Sequence, residues 1–117
     1  MQTKDRSPSD RWSVLFAEET ALEEFYSIPV DLQARLTHLI EMIQDLGLTA
    51  IGLPFVKHVE KDLWELRAKG KSGIARGLYV TRSGKCVYIL RVIHKKTSRL
   101  RRNDIETAMK RVGRIGK

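Results

Sequence analysis

The 117-residue chain predicts an α+β fold in two layers: a mainly antiparallel twisted sheet, with two N-terminal helices and one C-terminal helix. Three observations carry this reading. Between Pro29 and Leu46, Leu32, Leu36, Leu39, Ile40, Ile43 and Leu46 recur at three- and four-residue steps, the stripe of a helix lying on a core. From Leu63 to Leu90, three runs of strand composition are separated only by KGKSG and RSG. Turns that short join antiparallel neighbours, because a parallel pair needs a crossover of roughly a dozen residues. After Leu100 the spacing becomes helical again, with Ile105, Ala108, Met109 and Val112 on one side.

Taken in order, residues 1–10 are polar, contain Pro8 and read as a flexible tail, leaving 11–117 as one domain. Trp12 to Phe16 reads as a short strand. Glu18 to Tyr26 reads as a helix with Leu22, Phe25 and Tyr26 inward and its glutamates outward. Pro29 suits a first helical turn, and Gly47 suits the stop of the long helix it opens. The loop LTAIGLP leads to a brief strand, Phe55 to Val59. In Leu63 to Ala68, alternation places Trp64, Leu66 and Ala68 on one face and Glu65 and Arg67 on the other. Ile74 to Thr81 follows. The run Cys86 to Leu90 is apolar on both faces and is expected to be the central strand, with Cys86 a buried core thiol. That strand runs on into Arg91, His94, Lys95, Lys96 and Thr97, so a core element emerges carrying cations. The closing helix, Leu100 to Arg114, bears Arg101, Arg102, Lys110, Arg111 and Arg114 on its other faces, and Ile115 to Lys117 fray.

With 42% hydrophobic and 31% charged residues, the chain has the composition of a folded soluble protein and not of a disordered one. No apolar run approaches the roughly 20 residues of a bilayer span, and the N-terminus has no signal-peptide apolar region, so a cytoplasmic location is expected. The net charge of +8 is unevenly divided: −5 over Met1 to Val56 and +13 over Lys57 to Lys117. A basic half of that size points to a polyanion, most often nucleic acid, without naming it.

His38, His58, His94 and Cys86 fall on separate elements without metal-ligand spacing, and neither a phosphate-binding glycine loop nor a GxSxG elbow is present. No metal and no cofactor are expected, and His38 reads as a packing or partly exposed residue. What remains is cationic chemistry on strands, at Lys57, Arg67, Arg76, Lys95 and Lys96. Arginines in a sheet need either a partner carboxylate such as Glu65 or a phosphodiester to bind. Guanidinium and ammonium groups in fixed geometry also stabilise the extra charge of a phosphoryl transition state. Trp64 and Tyr79 offer stacking surfaces or core packing.

The ordered motifs LWELR, GIARGLYV, VYIL running into HKKT, and a basic helix with DIETA resemble the RelE/HigB toxin superfamily of type II toxin–antitoxin systems. Within it they resemble the phage-derived HigB-like branch, over roughly Trp12 to Arg114. The resemblance implies a microbial-RNase-like fold and a metal-independent, ribosome-dependent mRNA endonuclease in which the ribose 2′-OH attacks the adjacent phosphate. It also implies a cognate antitoxin, HigA-like with a helix-turn-helix, a toxin that is monomeric alone, and a higher-order complex with the antitoxin. Carried onto this chain, Arg67, Arg76, Lys95 and Lys96 are the catalytic candidates. Arg76 and Lys96 would stabilise the phosphorane, and Arg67 would position the phosphate. Lys57 or Lys95 would assist proton transfer or backbone binding. Lys57, His58, Tyr79, Arg91, His94, Arg99 and Arg102 form the expected RNA-binding set. The chain departs from the pattern at Arg91 and His94, where relatives read H-G-F before K-K-T, and at Leu100 and Arg101, where relatives often have T-P. A non-catalytic RNA- or DNA-binding module, or a degenerate toxin acting as antitoxin partner and co-repressor, is the alternative.

Overall fold

The computed structural model describes residues 11–52, 54–95 and 100–115, with only the backbone of Lys95. The expected tail at 1–10 lies outside the described residues. The elements follow the predicted order: β1 (Ser13–Phe16), α1 (Glu19–Ser27), α2 (Val30–Leu46), a 3-10 turn (Leu48–Ala50), β2 (Val56–Glu60), β3 (Leu63–Gly70), β4 (Gly73–Arg82), β5 (Cys86–Lys95) and α3 (Arg102–Val112). Pro29 stands at the N-cap of α2, and Gly47 ends the helix at φ +90°, donating its N–H to Ile43 O at 2.8 Å. The 3-10 turn falls where the sequence suggested only a loop. Among the described residues no helix is long and apolar enough to cross a membrane.

The five strands form one sheet in the order β1-β5-β4-β3-β2. The meander β2 to β5 is antiparallel, and β1 lies parallel to β5. The central strand is therefore β4 and not β5. The expectation failed because β5, interior and covered on both faces, has the same composition as a central strand. Arg76 and Gly77 disguise β4, which is nevertheless buried from Ala75 to Val80. Cys86 is also corrected: it opens β5 beside an exposed turn and is only partly buried.

Helices cover both faces. The α2 stripe Leu32, Leu36, Leu39 and Ile43, with Phe25 of α1, packs on Leu66, Ala68, Ala75, Tyr79, Val87, Ile89 and Val92. On the opposite face Ala108 of α3, flanked by Ile105, Met109 and Val112, packs on Leu63, Leu78, Val80, Leu90 and Ile93. Gly70 lets the β3–β4 hairpin close on α2, since a Cβ there would lie 2.9 Å from Asp31 Oδ2 and 3.0 Å from Leu32 Cδ2. In β5 the register shifts: Leu78 pairs with Arg91 and Tyr79 with Ile89, leaving Leu90 as the extra residue of a bulge.

Because β1 ends opposite Ile89, the next stretch of β5 lacks a strand on that side. Side chains replace the strand: Glu24 of α1 accepts the Val92 N–H at 3.0 Å, and Arg111 of α3 donates to Leu90 O at 2.8 Å. Glu24 also binds Arg91 at 2.6 Å and Arg111 at 3.0 Å, and Arg91 reaches Asp104 at 2.9 Å. One network thus ties α1, β5 and α3 together. Glu24→Ala takes one carboxylate from two guanidiniums, Arg91 and Arg111, and the acceptor from an edge amide. It is expected to lower stability by about 3 kcal/mol, the scale for breaking a largely buried ion pair, seen as a reduced urea midpoint with secondary structure retained below it.

Candidate nucleic-acid interface

The α3 side of the sheet carries three of the predicted strand cations, Lys57 exposed, Arg67 partly buried and Arg76 buried. Period-two alternation in β3 puts Glu65, Arg67 and Lys69 on this side, while Trp64, Leu66 and Ala68 face α2. Arg67 lies directly across from Arg76, Arg76 across from Ile93, and Ile74 across from Lys95. Lys57 of β2 stands opposite Glu65. The fold therefore gathers Lys57, Arg67 and Arg76 on adjacent strands, with the Lys95 backbone position one strand further along. Lys96 and Arg99 lie outside the described residues.

Two adjacent arginines would repel each other without a counter-charge, and Glu65 supplies it. Its Oε1 accepts from Arg76 Nη1 at 2.8 Å, and its Oε2 lies 3.9 Å from Arg67 Nε. The Glu65 and Arg76 side chains are 4% and 3% exposed, whereas that of Arg67 is 28% exposed. The Glu65–Arg76 pair is therefore buried, and Arg67 is the guanidinium of the two that reaches solvent. The structural reason for an arginine in the sheet, pairing with Glu65, is present alongside the cationic grouping.

Other predicted residues are placed elsewhere. Arg91 shares the α3 side but is held by Glu24 and Asp104; burial pulls its pKa down, and the hydrogen bonds to Asp104 and Glu24 outweigh it, giving a net rise. Arg102 is exposed and clasps Glu60 through two bonds of 2.7 and 3.1 Å. Tyr79 faces α2 and is fully buried, so the stacking role read from the sequence gives way to a core role; burial pushes its pKa up to about 12. His58 also lies on the α2 side of the sheet, with its ring edge-on to Trp64 at 4.9 Å and its Nε2 at 2.6 Å from Lys61 O. His94 turns to the same side, its Nε2 2.8 Å from Ser72 O. His38 is exposed on α2. Among the described residues no three His, Cys, Asp or Glu side chains gather as a metal site would require.

Sequence reasoning missed the Glu24–Arg91–Asp104–Arg111 network and the clamp on the hairpin tip. There Ser72 N–H donates to Asp31 Oδ2 at 3.0 Å while its carbonyl meets His94. Both link residues 13 or more positions apart, which no local spacing reveals.

The fold is that of the RelE toxins: the solved structure of an Escherichia coli toxin RelE double arginine-to-alanine mutant in the free state superposes with a TM-score of 0.55. That match covers 87% of this chain and 98% of the other at 16% identity. The sequence model of the phage-derived Gp49-like proteins matches residues 23–113, so the chain belongs to that family. The resemblance read from the motifs is thereby borne out. No curated protein matches the sequence.

Two outcomes follow from the site's geometry. Glu65→Gln leaves the buried Arg76 charge under-compensated and should cost about 3 kcal/mol, whereas Glu65→Leu with Arg76→Met should recover most of it in urea unfolding. Asp31 is held below the usual carboxylate range by hydrogen bonds from the Ser72 side chain and then from its backbone N–H. A lowered folded pKa gives stability that is complete above the ordinary carboxylate range and lost as pH falls through the lowered value. Amide exchange at Ser72 should therefore accelerate in that acid window, and Asp31→Asn should remove the pH dependence.

Proposed function

We propose that the protein is the toxin of a type II toxin–antitoxin module, acting as a ribosome-dependent mRNA endonuclease in the cytoplasm. The observation that carries this reading is the cross-strand arginine pair Arg67–Arg76 beside the lysine end of β5, on a RelE fold. In the proposed reaction the ribose 2′-oxygen forms a bond to the adjacent phosphorus as the 5′-oxygen departs. The products are a 2′,3′-cyclic phosphate and a 5′-OH end. Arg67, Lys95 and Lys96 offset the charge that builds on the phosphorane oxygens, and the reaction uses no metal. Arg76, held by Glu65, sets the position of Arg67 and raises the local potential; Lys57 binds the RNA backbone at the sheet edge. Arg99 and Arg102 extend the contact with RNA. A cognate antitoxin, HigA-like, neutralises the toxin in a higher-order complex, and the free toxin is a monomer.

The close pairing of Arg76 with Glu65 favours one second reading, a non-catalytic RNA-binding module, because a neutralised arginine contributes little to a transition state. Primer extension on translated mRNA separates the two. Codon-phased cuts that fall roughly 100-fold in Arg67→Ala and in Lys96→Ala are expected. Salt-dependent binding without cut ends, or cleavage unchanged in both variants, would overturn the nuclease reading.

A further inference from the structure

The face of the sheet opposite Arg67 holds a cleft that the proposed reaction leaves unused. It has a volume of about 550 Å³ and is lined by Leu48 and Ile51 beyond α2, by Val56 of β2, by Trp64 of β3 and by Tyr79 of β4. That is the size and character of a small-molecule site, mostly apolar with few polar groups.

Two features set this cleft apart from a packing defect. Tyr79 is fully buried, and its hydroxyl has no hydrogen-bond partner among the described residues. Interior tyrosines normally pair that hydroxyl, because a donor taken out of water without a bond is costly. Burial keeps the group protonated by pushing its pKa up to about 12, so what it lacks is an acceptor for that proton. Beside it Trp64, its register partner on β3, leaves 38% of its surface exposed, although an indole is among the most favourable surfaces to cover.

The bordering residues narrow the chemistry of the ligand. Lys57 and His58 line the cleft from exposed positions on β2, so a cation would meet like charge there. A carboxylate pressed toward Tyr79 would exchange its hydration for one neutral donor. A flat ring gains most from an indole face. We infer that this cleft binds an uncharged, planar, two-ring heteroaromatic molecule, its rings against Trp64 and a ring acceptor atom taking a hydrogen bond from the Tyr79 hydroxyl. The site lies across the sheet from Arg67 and is tested without any cleavage measurement, so it stands or falls independently of the toxin reading.

The probe is quinoline, followed by NMR through the indole N–H peaks of the two tryptophans, with Trp12→Phe identifying that of Trp64. Quinoline should move the Trp64 peak saturably at roughly millimolar concentration, as expected of so small a ligand. N-methylquinolinium, the same shape with the acceptor lost and a charge gained, should bind at least about ten-fold more weakly. Tyr79→Phe removes only the hydroxyl and should weaken quinoline roughly five- to ten-fold while leaving N-methylquinolinium unchanged. The variant also loses an unpartnered buried group, so its urea midpoint should equal or exceed that of the wild type. If it does not fold, the ratio of quinoline to N-methylquinolinium affinity on the wild-type protein carries the same test. Equal affinity of quinoline for the wild type and Tyr79→Phe, equal affinity of the two probes for the wild type, or an unmoved Trp64 peak would overturn the proposal. So would decanoate or a single-stranded RNA octamer that shifts the Trp64 peak as quinoline does, since the cleft would then be taking a chain or a nucleic-acid strand.

Discussion

The structure depends on how β5 is finished along an edge that β1 is too short to cover. Backbone polar groups left open beside a packed core cost about as much as lost hydrogen bonds, so the exposed stretch beyond Ile89 needs partners. Glu24 and Arg111 supply them from two helices on opposite sides of the sheet, and Arg91 and Asp104 complete the charge balance. A second strand residue or two in β1 would have met the same need locally. Using helices instead couples all three layers, so that α3, whose buried apolar surface is small, is held by ions as well as by Ala108 and its neighbours.

The same logic governs the cationic face. Placing Arg67 across from Arg76 brings two positive charges together on neighbouring strands, and Glu65 makes that tolerable by pairing with both. The uneven division of charge along the sequence becomes a spatial one: the acidic helices α1 and α2 lie against one face of the sheet, and Lys57, Arg67 and the buried Arg76 lie on the other.

Much of this was legible in the residues. The stripe on α2, the Pro29 and Gly47 boundaries, the short turns and the Trp64/Arg67 alternation each rest on neighbours within a few positions, which is why the element order emerged intact. The Arg67 and Arg76 grouping was legible because β3 and β4 are joined by a tight hairpin that fixes their register. Residues whose roles depend on distant partners were not. Arg91 pairs with Glu24 and Asp104, and Arg102 with Glu60, contacts that no local spacing foretells. Tyr79 looked available for stacking but lies beneath α2, because which face of β4 is covered depends on helices far away in sequence. The centre of the sheet was misplaced for a related reason: strand order is decided by where the N-terminal strand returns, not by how apolar a strand is.

The bulge at Leu90 reaches further than its local geometry. Below it, Tyr88 and Leu90 face α3; above it, Arg91 and Ile93 do, where strict alternation would have turned Val92 and His94 to that side. One unpaired residue therefore decides that His94 is tucked against the hairpin tip and not turned toward the arginines. Motif letters alone cannot convey that choice, since it is written as a phase offset several residues upstream. Two chains with the same residues here but a different phase would turn opposite sets of them toward α3.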